Sequence, residues 1–370
     1  MVRFSCEKAL LQQAVNAVSR AVAAKSSIPA LEGILLETEH GLRVSGYNMQ
    51  TGIRTEVEAD IRESGRIVLN AKLFGDMIRR MPDDTVVFDA DEKFNVKLTC
   101  GDTDFEMIGL SANDYPEMPE VDDEFSVTLE QRTLKAMIDQ TSFAVSLNET
   151  RPIHTGVLFE ISDKGLTMVA VDGFRLALRR EPLEHIDGGA FKFVAPGSAL
   201  NEVEKICADT EDMVTVTQGK RHLMFEAGNT QLICRRLEGE FLDYRNAIPT
   251  NNPICLEVDN KTMIESLERV SVVISEKLKS PVRCLFSADK VYMSARTGNG
   301  DARDICPVRG DGKELEIGFN NRYLMDALRY APADTVKMHL NTGISPCIIT
   351  PVDDSDNFIY MVLPVRLKAQ

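Results

Sequence analysis

Few residues in this chain could carry a reaction, and their spacing argues against most chemistry. His40, His154, His185, His222 and His339 stand far apart. None forms an H-E-x-x-H or H-x-x-x-H pair that would hold a metal on one helix face, and no G-x-S-x-G elbow offers a nucleophile. Gly310-Asp311-Gly312-Lys313 comes nearest to a phosphate-cradling loop. It lacks both a glycine at the right distance ahead and the Ser or Thr that would take magnesium. Asp102 with Asp104, and Asp353 with Asp354 and Asp356, could ligate a divalent cation through oxygen, but in turns such residues more often start the turn or stay solvated. The cysteines at 6, 100, 207, 234, 255, 284, 306 and 347 show no C-x-x-C pair, so neither a zinc site nor a compact disulfide framework is implied. Idle or buried thiols in a reducing compartment are the expectation. No catalytic residue, metal or cofactor is expected.

The elements around these residues say more. A helix-like run, Glu7-Lys8-Ala9-Leu10-Leu11-Gln12-Gln13-Ala14-Val15, has counterparts beginning at Glu130 and at Asp259, with the apolar residues in step. Met81-Pro82-Asp83-Asp84-Thr85-Val86-Val87 returns as Ala331-Pro332-Ala333-Asp334-Thr335-Val336-Lys337, with Ile206-Cys207-Ala208-Asp209 between them. From Phe74 to Ala199 to Leu324 the step is about 125 residues, far above the roughly 20–50 of solenoid repeats. Three domains of one design follow, at 1–122, 126–249 and 250–370, with linkers at the acidic run Pro116 to Glu124 and at Ile248-Pro249-Thr250-Asn251-Asn252-Pro253.

Each repeat reads as helix, strands, helix, strands. Leu10, Leu11, Ala14, Val15, Val18 and Val22 mark the buried face of the first helix, by three-and-four spacing. Second helices are expected at 72–80, 198–207 and 321–330, the first and last stopped by Pro82 and Pro332. Strands such as Gly33 to Glu37 and Val157 to Ile161 outnumber helices and neighbour one another in sequence. An α+β class with antiparallel sheets carrying helices on one face is therefore expected.

A chain of 370 residues leaves each third enough length for its own core. There is no run of about 18 apolar residues to span a membrane, and no apolar stretch follows Met1-Val2-Arg3 to direct export, so a cytoplasmic place and no membrane partner are expected. The formal net charge of −15 is unusual for a protein that grips nucleic acid through its surface.

Val171-Asp172-Gly173-Phe174-Arg175-Leu176-Ala177 reads locally as a hairpin turning at Asp-Gly. Taken with Glu240-Phe241-Leu242-Asp243-Tyr244-Arg245, Ile274-Ser275-Glu276-Lys277, Phe319-Asn320-Asn321-Arg322-Tyr323 and Met361-Val362-Leu363-Pro364-Val365-Arg366-Leu367, it resembles the bacterial β sliding clamp, the processivity subunit of DNA polymerase III. The resemblance covers the whole chain, in order and with the same triple repeat.

That resemblance implies a non-enzymatic DNA sliding clamp: a head-to-tail homodimer closed into a ring of six similar domains, helices lining the hole and sheets outside. A ring holds duplex DNA topologically, so an acidic exterior is no obstacle. It implies contact between the first and third domains through Phe105, Met107, Val272 and Val273, and DNA contacts at Lys25, Lys72, Arg79 and Arg151. Further lining cations would be Arg132, Lys135, Lys261, Arg269, Arg322 and Arg329. It also implies one peptide-binding groove per subunit, for the clamp loader, the DNA polymerase III catalytic subunit and other polymerases or repair proteins. Its residues would be His154, Gly173, Phe174, Arg175, Leu176, Leu242, Asn320, Tyr323, Val362, Leu363, Pro364, Val365 and Arg366. Apolar walls would bury Leu or Phe anchors while Arg175 and Asn320 fix the polar part of a peptide carrying a glutamine followed by apolar residues.

The chain departs from the family pattern at Leu242, where proline is frequent, at Asn246 and Ala247, and at His154 on an aliphatic wall. Gly197 and Ser198 stand where a basic pair is placed, and Lys368-Ala369-Gln370 runs past the usual end. These changes imply altered pocket shape and partner preference more than lost binding. Two other readings remain at this level, a metal-dependent hydrolase using the acidic turns and a peptide-binding scaffold without DNA.

Overall fold

The computed structural model describes residues 1–370 except 123, 184–185, 188, 275–279, 311–312, 354 and 368–370, and leaves the side chains of 186 and 187 undescribed. His185, Ser275-Glu276-Lys277, Asp311-Gly312, Asp354 and Lys368-Ala369-Gln370 thus lie outside the described residues. The helices are α1 Lys8–Val18, α2 Ala71–Arg80, α3 Gln131–Ser142, α4 Gly197–Ile206, α5 Tyr244–Ala247, α6 Asn260–Ser271 and α7 Asn321–Arg329.

Apolar spacing places the helices, and a side-chain cap fixes the start of α2, α6 and α7. In α1, Leu11, Ala14, Val15 and Val18 are buried. It stops short of the expected Val22 because Ser19 Oγ turns back to the Val15 carbonyl at 2.6 Å and a 3-10 turn, Ser19–Ala21, follows. In α7 the Asn320 side chain accepts from the Arg322 and Tyr323 amides, and Leu324, Ala327 and Leu328 are buried. Asp259 caps α6 through the Thr262 amide, placing Met263, Leu267 and Val270 inside. Its apolar face ends with the helix, so Ile274 lies beyond it.

By compactness the chain falls into two units, and the second repeat contributes to both. The first unit comprises 1–135, 185–189 and 198–236. One of its sheets runs Asp60–Glu63, Val2–Glu7, Thr85–Ala90, Asn95–Cys100, Thr103–Ile108, with the last strand at the edge. Phe4 and Phe88 stack across it at 4.7 Å. The other runs Ile186–Asp187, Phe125–Glu130, Met213–Gln218, His222–Ala227, Thr230–Arg235, Thr51–Val57, Leu42–Tyr47, Gly33–Glu37, Arg66–Asn70. It crosses from second to first repeat where Cys234 pairs with Thr51 and Thr230 with Thr55. Helix α1 packs on this sheet and against α2.

The second unit comprises 136–184, 190–197 and 237–370. Its larger sheet runs Phe191–Pro196, Gly156–Ser162, Gly165–Val171, Arg175–Glu181, Phe358–Val362, Cys347–Pro351, Thr335–Leu340, Ile254–Asp259, Arg309–Gly310. It crosses repeats where Arg175 pairs with Val362 and Arg179 with Phe358. A smaller sheet, Gly300–Pro307, Lys290–Thr297, Val282–Phe286, Leu315–Phe319, has Gly300–Pro307 at its edge, with α6 against it and α7 against α6. The described strands of these sheets pair antiparallel, which is the α+β class read from the strand neighbours.

Candidate functional site

The hairpin at Asp172 builds the centre of the site, inside the second unit. Asp172 Oδ1 accepts from the Phe174 and Arg175 amides at 2.9 and 3.0 Å, and Gly173, at φ +89°, turns the chain where a β-carbon would be strained. Phe174 is thereby pushed outward, 59% exposed, with its ring 6.2 Å from that of Tyr323. Arg175 goes the other way. Its Nε donates to Asp172 Oδ2 at 2.9 Å and its Nη1 to Asp326 Oδ2 at 2.6 Å. The guanidinium lies 4.5 Å from the Tyr323 ring centre and 5.5 Å from that of Phe143. Phe143 in turn stacks on Tyr330 at 4.8 Å and meets Tyr360 edge-on. One cation thus ties the hairpin to α7 through two carboxylates and two rings.

Below the hairpin lies a buried apolar cluster that includes Leu158, Leu176, Leu178, Tyr244, Ile348 and Met361. Ile153, Leu237, Phe241 and Leu363 pack on it while staying partly open. The end of the chain closes the side: Leu363 donates its amide to the Phe174 carbonyl at 2.8 Å and Val365 to that of Gly318 at 2.7 Å. Pro364 between them is half-buried and Arg366 is exposed. Leu242 is 42% exposed at the rim. The hydroxyl of Tyr244 donates to Glu160 at 2.6 Å.

Four expectations change. Leu176 and Val362 are fully buried, so they form the floor and not a wall, because the alternation of their strands turns them inward. Arg175 is committed to Asp172 and Asp326, and Asn320 Oδ1 to capping α7, so both hold the walls in place. Residues that spacing alone missed are Phe143, Asp326 and Ile153. Asp326 lies 151 positions from the arginine it neutralises, and no local signal links them. The Asp-Gly turn, by contrast, was a visible signal for Asp172.

His154 sits edge-on to Phe241 at 5.9 Å. Burial, and then the positive charge of Arg151, pulls its imidazole below the ordinary histidine range. It is therefore neutral at pH 7 and presents a largely apolar edge. A base harder to protonate when folded contributes stability that is complete above its unfolded pKa and is lost as pH falls through that range. Wild type should lose stability relative to His154→Leu between about pH 7 and pH 5. Urea midpoints measured at both values check this, and identical pH dependence in the two proteins would count against it.

The other named residues lie elsewhere. Lys25, Lys72 and Arg151 are exposed and carry no ion pair to a described residue, while Arg79 is bound to Asp76 at 3.0 Å. Arg132, Arg269 and Arg329 are likewise engaged, by Glu130, Asp304 and Glu268. Phe105 is half-buried and Met107 is 7% exposed on Thr103–Ile108, whereas Val272 is 83% exposed just after α6 and Val273 is half-buried. The acidic turns serve local structure: Asp104 accepts from Thr99, and Asp353 from the Ser355 amide. Among the described residues no group of three or more His, Cys, Asp or Glu could hold a metal. No described helix is long and apolar enough to cross a membrane.

An α+β repeat used three times, with an apolar notch where two repeats share a sheet, defines a protein of the DNA-clamp class. The three repeats match in order the N-terminal, central and C-terminal domains of the DNA polymerase III beta subunit, at residues 2–119, 128–243 and 245–366. The chain belongs to the DNA polymerase III beta subunit family. It is 30% identical over 379 residues to the beta sliding clamp of Halalkalibacterium halodurans, across 99% of this chain and 100% of that one. Against the beta sliding clamp of Staphylococcus aureus strain Mu50 it is 30% identical over 382 residues, with the same coverage. Among solved structures, the DNA polymerase sliding clamp from Bacillus subtilis superimposes with a TM-score of 0.94 at 27% identity, covering 99% of this chain and 100% of that one. The DNA polymerase III beta subunit from Thermotoga maritima gives 0.92 at 26%, covering 100% of both.

Proposed function

We propose that the chain is a DNA sliding clamp, a ring-shaped homodimer that encircles duplex DNA and performs no catalysis. It keeps the replicative polymerase on its template and recruits the clamp loader, other polymerases and repair proteins through the groove around Phe174 and Leu363. The observation that carries this reading is the consecutive match of one family's three domains from residue 2 to residue 366. On this reading the three clamp domains are assigned to 1–122, 126–249 and 250–370.

The dimer reading is supported by two sheet edges. Thr103–Ile108 and Gly300–Pro307 each end a sheet, with no described strand on their outer sides. Ile108 is 75% exposed on the first and Ile305 is 54% exposed on the second. Exposed edges of six and eight residues invite strand pairing. Pairing the first-repeat edge of one copy with the third-repeat edge of another, twice, closes a ring with no edge of this kind left open. Phe105 and Met107 belong to the first of these edges, and Val272 and Val273 flank the second from the end of α6.

Lys25, Lys72, Arg79 and Arg151 are assigned to the DNA-facing surface. A topological hold needs only enough positive charge to pass phosphates, which reconciles DNA binding with a net charge of −15. A cytoplasmic site of action follows from this role.

The test is loading onto nicked circular DNA with the matching clamp loader and ATP, followed by gel filtration at high salt before and after a single cut of the circle. Retention on the circle and release after linearisation is the expected result. A protein that never stays on the circle, where a control clamp does, would leave only the scaffold reading.

A further inference from the structure

The turn that presents Phe174 occurs twice in this chain. In the first unit, Leu42–Tyr47 turns through Asn48, Met49 and Gln50 into Thr51–Val57. Asn48 Oδ1 accepts from the Gln50 and Thr51 amides at 3.0 and 2.8 Å, as Asp172 Oδ1 does from Phe174 and Arg175. Met49 has φ +72° where Gly173 has +89°. The Arg235 amide bonds the Gln50 carbonyl as the Leu363 amide bonds that of Phe174. Thr51 pairs with Cys234 as Arg175 pairs with Val362. A buried tyrosine completes each apolar cluster, Tyr115 in the first and Tyr244 in the second. The junction of the first and second repeats is therefore built as another copy of the groove.

Two differences close that copy. Where the floor has Leu176, the first junction has Gly52, and the space is taken by Met118 from the following linker. A β-carbon on residue 52 would stand 2.5 Å from Met118 Cε and 3.1 Å from its Sδ. Met118 lies on the buried cluster of Leu31, Leu35, Tyr47 and Tyr115 while remaining half-exposed. Three residues beyond Tyr244, at the end of α5, stands Ala247, too short to reach across. The second difference is polar. Tyr244 donates to Glu160, but the equivalent Glu37 is held by Arg66 at 2.9 Å, and the Tyr115 hydroxyl is buried without a side-chain partner among the described residues.

We propose that Met118 is an intramolecular plug, occupying in the first junction the place that a peptide's apolar anchor takes in the groove, and so limiting each chain to one docking site. This rests on the groove reading given above. An unbranched thioether adapts to a seat shaped for leucine or phenylalanine. With the plug removed, the seat accepts the same class of linear peptide. Thr51 in place of Arg175 leaves it without the cation and ring wall, so its affinity is roughly tenfold below that of the groove.

The experiment is calorimetric titration of the full-length protein with a synthetic peptide carrying glutamine, leucine and phenylalanine. Wild type and Met118→Leu should bind one peptide per chain, and Met118→Gly two. Adding Leu363→Asp to Met118→Gly should abolish the tighter site and keep the weaker. Met118→Ala serves in the same way if the glycine variant does not fold. One site in wild type and still one in both truncation variants would overturn the plug. No site in wild type but one in Met118→Gly would refute the groove reading and leave the plug standing, and no site in any of them would refute both.

Discussion

Arg175→Ala will destabilise the second unit by about 3 kcal/mol and weaken peptide capture by roughly tenfold. The side chains of Arg175, Asp172 and Asp326 are only 11%, 10% and 17% exposed, so the alanine leaves two nearly buried carboxylates without a counterion. Removing one partner of such a group costs far more than the group contributes when intact. The loss also reaches the binding surface. Tyr323 is held under the guanidinium, and Phe174 stacks on Tyr323, so the outer wall slackens with the arginine. Arg175→Lys should lie between wild type and alanine, because a lysine keeps the charge but cannot span both carboxylates and stack at once. Urea unfolding of the unit and peptide titration of the folded variants check both effects. A variant as stable as wild type would mean that the two aspartates find other partners.

The second large effect is expected at the edge of the first sheet. Ile108→Asp should turn the dimer into a monomer at micromolar concentration and abolish retention on circular DNA. The isoleucine is 75% exposed in the single chain, and burying it in an interface contributes about 2 kcal/mol. An aspartate there forfeits that burial and adds several kcal/mol for desolvating an unpaired carboxylate. The combined loss corresponds to a weakening of the dimer by more than about 100-fold. Sedimentation at several concentrations reads the assembly state directly. Because the groove lies in the second unit, peptide affinity should be unchanged, which separates loss of assembly from loss of folding. A variant that remained dimeric would place the interface elsewhere.

Much of this was legible in the sequence, for reasons that differ by element. Apolar residues at three-and-four spacing place α2 at Ala71–Arg80 and α7 at Asn321–Arg329 within a residue of expectation, since local geometry and caps decide those helices. The Asp172-Gly173 turn was visible because its residue types are specific to its backbone angles. Pairing of Thr51–Val57 with Thr230–Arg235 was not visible, because hydrogen bonds between main chains leave no mark on side-chain order. The same holds for the groove. Its outer apolar residues could be named, but the Arg175 to Asp326 bridge and the Phe143 platform join positions far apart and follow no period. Burial of Leu176 and Val362 required knowing which sheet face was covered.

The sheets that run across the repeat borders also govern which changes in chain length the family can inherit. In Thr51–Val57 and Thr230–Arg235, as in Arg175–Glu181 and Phe358–Val362, one repeat is registered against the next residue by residue. Gaining or losing a single codon there would turn every following side chain of the strand to the opposite face, in two repeats at once. The connectors near residues 116–124 and 248–253 carry no such register. Drift in length is therefore tolerated better in the linkers, beyond the placement of Met118, than at the seams, so the most conserved spacing in this chain should belong to the paired strands that join one repeat to the next.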